Sequence, residues 1–196
     1  EKKYITSLET LAQVNRRNPQ RLRTASLQRQ IRTARSRQRV AGAVEEKRAL
    51  VLMIEFSDQS FRKNAAKYCE AMLNEEGYTG GTLSPEPIPG SVKDYFRQQS
   101  DGQFNVTFDV VGPVRASGSC YYYGIDSEDV SEMYVGRLLS EVLKKVDADV
   151  DFSRYDWYGN GEVDLVFFVY AGYGAHVVGN DPNLIWPHAG ALSFFD

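Results

Sequence analysis

Ala49-Leu50-Val51-Leu52-Met53-Ile54-Glu55-Phe56 is an almost unbroken apolar run. A run that does not alternate marks a strand buried on both faces, in a sheet covered above and below. Working outward, Phe61, Ala65, Cys69, Met72 and Leu73 form one stripe at helical spacing, which predicts a helix from about Ser60. Gly77 is placed to end it, because glycine accepts the left-handed conformation past a helix C-terminus. Residues 79–90, with three glycines and three prolines, read as a loop. Ser91-Val92-Lys93-Asp94 then has the pattern of a capping box, opening a short helix through Tyr95 and Phe96.

Further along, Phe104, Val106, Phe108 and Val110 alternate with Asn105, Thr107 and Asp109, the pattern of a strand with one wet face. A longer helix is predicted over about 128–147, its apolar face supplied by Val130, Met133, Leu138, Leu139, Val142 and Val146. Val163 to Ala171 reads as a second buried strand, ended by Gly172 and Gly174. Buried strands with helices between them make an α/β (α+β) layered domain, a twisted mixed sheet with packed helices.

The chain has 196 residues, 42% hydrophobic and 25% charged, which is globular composition with enough length for a core. No stretch approaches the roughly 18 apolar residues a membrane span needs. Glu1-Lys2-Lys3-Tyr4 leads into no apolar stretch of the kind a leader carries. The net charge of −3 hides an asymmetry. Residues 1–48 hold 13 Lys/Arg against four Glu, and the remaining 148 residues hold 10 basic and 22 acidic groups. Residues 1–48 therefore read as a separate basic segment or linker, with one short amphipathic helix over Ile5, Leu8, Leu11 and Ala12, and the globular domain as 49–196. A basic arm of this kind suits a pro-segment lying on an acidic body. It has no aromatic residue after Tyr4, so base stacking has no support and no nucleic-acid partner is expected.

The sharpest local motif is Asp156-Trp157-Tyr158-Gly159-Asn160-Gly161-Glu162-Val163-Asp164. Oxygen ligands at alternate positions around glycines are the ingredients of a calcium loop. Side chains of Asp156, Asn160 and Asp164, with the Glu162 carbonyl, would form the set, while Tyr158 stands where an acid is wanted. A glycine-rich turn capped by Asp and Asn side chains uses the same residues without a metal. His176 and His188 are twelve apart, and the chain contains no HExxH, Gly-x-Ser-x-Gly, P-loop or GxGxxG. Cys69 sits on an apolar stripe and reads as a buried hydrophobe; a Cys69–Cys120 disulfide would suit an exported protein. Asn105-Val106-Thr107 is formally a glycosylation sequon. These residues contain no complete catalytic centre.

The ordered phrases say more. Arg48 to Asp58, Gly90-Ser-Val-Lys-Asp-Tyr-Phe96, Ser100-Asp-Gly-Gln-Phe104, Phe108-Asp-Val-Val-Gly-Pro-Val114, Tyr155 to Asp164, Val169-Tyr-Ala-Gly-Tyr-Gly174 and Ile185-Trp-Pro-His188 follow one another. Together they resemble the immune-inhibitor-A type family of secreted bacterial zinc metallopeptidases, over about residues 48–192. The resemblance implies the N-terminal subdomain of a thermolysin- or metzincin-like catalytic domain, and a place for residues 1–48 as the family's pro-segment or its junction. It implies protein or peptide substrates, a zinc ion, and an HExxH helix beyond the Trp186-Pro187-His188 phrase. Residues 1–196 contain no such helix, so none of them inherits the zinc-ligand or general-base role, and the missing C-terminal half becomes the expected partner. The resemblance also places a substrate cleft near Tyr170, Tyr173 and His176, and the protein at the cell surface or outside it. A non-catalytic, protease-like binding module, stabilised by calcium, is the alternative.

Overall fold

The computed structural model describes residues 43–81, 86–124, 134–177, 179, 181 and 183–187. The helix expected over Ile5–Ala12, residues Val130 and Met133, and His188 lie outside the described residues. Two compact units divide the chain, Glu1–Ala43 and Val44–Asp196, and the fold below is that of the second.

The apolar run lies in strand β1 (Glu45–Glu55), in which Ala49 to Ile54 are all buried. Two further strands flank it, β2 (Phe104–Arg115) and β3 (Val166–Tyr170), in the order β2-β1-β3, and both pairings are parallel. Being central is what buries both faces of β1. Ala49, Val51 and Met53 face α1 (Ala65–Asn74) and α2 (Val92–Gln99), packing on Cys69, Leu73, Val106 and Phe108. Leu50, Leu52, Ile54 and Phe56 face the other way, toward Leu138, Val142 and Val146 of α4 (Tyr134–Val146) and toward the short α3 (Cys120–Gly124). The result is a three-layer α/β fold. Burying each such side chain is worth about 1.5–3 kcal/mol, which fixes the strand's place more firmly than any turn signal.

Several expected boundaries move, each for a visible reason. Helix α1 begins at Ala65 rather than Ser60, because Asn64 adopts a left-handed conformation and the Phe61 amide is held by Glu55 Oε1 at 2.9 Å. It ends at Asn74, short of Gly77, which instead has φ +69° in the following turn and donates its amide to Asp94 Oδ2 at 2.8 Å. The capping box of α2 is present. Ser91 Oγ accepts from the Asp94 amide, and Asp94 Oδ2 accepts from the Ser91 amide.

Strand β2 runs five residues past Val110, through a register slip opposite Leu52 and Ile54. Gly112 makes that slip sterically feasible. With φ +108°, it passes so close to β1 that a Cβ would lie 2.6 Å from the Met53 carbonyl oxygen. Strand β3 corrects the expectation of a second fully buried strand. It is half-buried, with Phe167 38% exposed, because it has a strand partner on one side only among the described residues. Val163 and Asp164 belong to the preceding loop.

Cys69 and Cys120 are both free and buried, in clusters on opposite faces of the sheet. A disulfide between them is incompatible with this fold. The sequon lies within β2, and its Asn105 amide donates to Glu46 Oε2 at 2.7 Å.

Candidate functional site

Parallel strands place all their C-terminal ends on one side, where α/β sheets usually collect ligands. Three loops meet there, following Glu55, Arg115 and Tyr170. Asp58 of the first caps α3, accepting the Cys120 amide at 2.8 Å. Ser57 donates its amide to the Gly118 carbonyl of the second at 2.9 Å. Tyr170 closes the third. Its ring meets Phe56 edge-on at 6.2 Å and its hydroxyl donates to the Ile185 carbonyl at 3.0 Å. The same carbonyl accepts the Ala175 amide at 3.1 Å, so residues 174–177 and 183–186 are laced together over the strand end.

Sequence reasoning picked three cleft residues, and the structure gives them different surroundings. Tyr170 is half-buried and acts as a pillar. Tyr173 is 66% exposed. His176 is exposed, with its ring 6.5 Å from Trp186. Tyr170 and His176 converge on Gly174, where a Cβ would lie 3.1 Å from the Tyr170 hydroxyl and 2.9 Å from His176 Nδ1. Tyr173, His176, Val177 and Trp186 thus make an exposed, mostly apolar patch at the C-terminal end of the sheet. Beneath it, burial pushes the Cys120 thiol up to about 11, so this cysteine is not a nucleophile at neutral pH. Among the described residues, no nucleophile and base are paired in the patch.

A cavity of about 390 Å³ lies elsewhere, lined by Leu143, Lys144 and Asp147 at the end of α4, with Phe152 and Val166. None of the three cleft residues touches it. It is an apolar hollow beside strand β3, away from the loops at the C-terminal end of the sheet.

The 156–164 segment folds as a turn held by its own acids. Asp156 accepts the amides of Tyr158 (3.2 Å), Asn160 (3.1 Å) and Gly161 (2.7 Å). The Gly161 amide foremost holds its carboxyl below the usual range. Asp164 Oδ2 accepts the Trp157 amide at 2.6 Å, and Asn160 Oδ1 accepts the Glu162 amide at 3.2 Å. Sequence reasoning missed the anchor, Trp157. Its indole donates to the Arg48 carbonyl at 2.6 Å and packs on Phe104, tying the turn to the sheet. Tyr158 faces Lys47, whose ammonium lies 5.5 Å from the ring centroid, which accounts for a phenol at that position.

For a zinc ion the described residues do not fit. No group of three or more His, Cys, Asp or Glu among them could hold a metal, and both thiols are buried on opposite faces.

Two comparisons bear on the site. The family model described as immune inhibitor A peptidase M6, catalytic domain, matches residues 35–188. The pre-pro-metalloprotease PrtV of Vibrio cholerae serotype O1, from two strains, is similar at 26% identity over 145 residues. That alignment covers 65% of this chain and 16% of the relative, so the chain spans a small part of the curated proteins it matches.

Proposed function

The chain belongs to the immune inhibitor A peptidase M6 family, and on that premise we propose that it is the N-terminal part of the catalytic domain of a secreted zinc endopeptidase. The match to a catalytic-domain model over most of the chain carries this reading. Protein or peptide chains are the substrates, and the zinc ligands and glutamate base come from an HExxH outside residues 1–196. Alone, these residues do not hydrolyse peptide bonds. Localisation outside the cell follows from the family resemblance and agrees with a relative named as a pre-pro-protein. Among the described residues no helix is long and apolar enough to cross a membrane.

The structure supplies two supporting features. First, Leu165 and Ala171 bond to β1 through Leu50 and Ile54, so the backbone groups of Val166, Phe168 and Tyr170 point outward. That edge, beside an apolar hollow, suits the C-terminal half of the catalytic domain as its partner. Second, the Tyr173–His176–Trp186 patch suits one wall of a substrate cleft. Reading the coding sequence past codon 196 tests the first: an HExxH agrees, and a stop codon or a continuation without one overturns it. Alanine at Tyr173 or His176 in the full-length protein tests the second. A changed KM for peptide cleavage is expected, and unchanged kinetics removes these residues from the cleft.

A second reading, a calcium-stabilised module that binds without cleaving, rests on the spacing of the oxygens in the 156–164 turn and competes with the hydrogen bonds that already close it. Calcium on Asp156, Asn160, the Glu162 carbonyl and Asp164 would raise Tm at millimolar concentration, and Asp164→Ala would abolish the rise. No shift in the parent protein refutes it.

A further inference from the structure

Among the described residues, strand β2 lies at the sheet edge opposite β3. The carbonyl of Gln103, just before β2, accepts the Glu45 amide, so by the two-residue period Phe104, Val106, Phe108 and Val110 turn their backbone groups away from β1. A row of outward N–H and C=O groups is a template for another strand. The segment Phe104–Val111 is a strong template, rich in aromatic and β-branched residues, with a single charge and no proline.

Two side chains occupy this row. Asn74, the last residue of α1, donates Nδ2 to the Phe108 carbonyl and accepts the Phe108 amide on Oδ1, both at 2.9 Å. Ser100, just past α2, accepts the Phe104 amide at 2.9 Å and donates to the Phe104 carbonyl at 3.2 Å. Each imitates the paired donor and acceptor of a neighbouring strand, at outward positions four residues apart. A helix-terminal Asn or Ser ordinarily satisfies its own helix; here the Asn74 amide turns to the sheet, and the Ser100 hydroxyl is shared between the Phe104 carbonyl and the Arg97 carbonyl of its own helix at 3.1 Å.

We propose that Asn74 and Ser100 are edge guards, which keep a second copy of this chain from adding its own β2 to this strand. The partner is a second copy because the template is self-complementary in composition, and two identical exposed strands pair without further design. This does not depend on the peptidase function.

The test uses the full chain with Asn74→Ala and Ser100→Ala together, beside a version with Asn74→Asp and Ser100→Ala. Aspartate still accepts the Phe108 amide but sets a charge at the edge, a device that blocks strand addition. In sedimentation velocity the alanine pair should show concentration-dependent dimer formation relative to the unsubstituted chain, and the aspartate version should not. No added association, or equal association in both, overturns the proposal. Should the double variants fail to fold, Asn74→Ala alone decides the matter by amide exchange. At a dilution where the variant is monomeric, the Phe108 amide should exchange about tenfold faster or more while Leu52 is unchanged, and regain protection as concentration rises; unaltered exchange at Phe108 at that dilution, or no regained protection, overturns the proposal.

Discussion

At the residue scale, Glu141 is the most heavily engaged carboxylate described. It accepts the Ser117 amide at 2.8 Å, the Ser117 hydroxyl at 2.7 Å, the Tyr123 hydroxyl, and the Lys145 ammonium at 2.6 Å. Burial raises its pKa, but the bonds from Lys145, Tyr123 and Ser117 together outweigh burial and bring it down to about 2. Burial, then the bond to Glu141, pushes Tyr123 up to about 12. The signs follow by linkage. The carboxylate's contribution is complete above its ordinary value near 4.5 and is lost as pH falls through about 2. The tyrosine's contribution is complete below 10 and lost as pH rises through about 12. Replacing Glu141 with Gln should cost about 2 kcal/mol at pH 7 in a urea titration. It should also flatten the loss of stability between pH 4.5 and 2; an unchanged acid limb would show that the network carries no linkage. None of this was legible in the sequence, because Ser117, Tyr123 and Glu141 are brought together only by packing α4 on the sheet.

At the scale of elements, what could be read was whatever depends on a local period. The run from Ala49 to Phe56 is apolar at every position but one and is indeed the central strand. The Ser91–Asp94 box announces its helix through four adjacent residues. The boundaries that moved depend on distant groups: Asn74 stops α1 at the edge of β2, and Gly112 carries β2 past a bulge against Met53. Truncating the central strand by Leu52→Ala, fully buried, should cost about 2–5 kcal/mol. Gly124→Ala should cost about 1–3 kcal/mol by overpacking, since its Cβ would lie 2.0 Å from the Asn183 carbonyl oxygen. Chemical denaturation measures both. A neutral Gly124→Ala would mean that residues 183–186 are not clamped on α3, and the Tyr170–Ile185 lacing would lose its support.

On the scale of the whole molecule, the site was legible only in part, and for a chemical reason. A zinc peptidase centre announces itself by ligand spacing, and no such spacing occurs in these residues. The family showed instead through phrases that shape strand ends and turns, such as Val169 to Gly174 and Ile185 to His188. The structure explains those up to Pro187, since Tyr170, Gly174 and Ile185 meet in one hydrogen-bonded knot at the C-terminal end of the sheet. Under the proposed function, residues 1–196 supply scaffold, strand edge and cleft wall, and an HExxH outside them supplies the chemistry. The most direct test is zinc content and peptide hydrolysis, measured side by side on residues 1–196 and on the gene's full product. The account predicts neither stoichiometric zinc nor hydrolysis in the first, and both in the second. One zinc per chain with hydrolysis by residues 1–196 alone would contradict it.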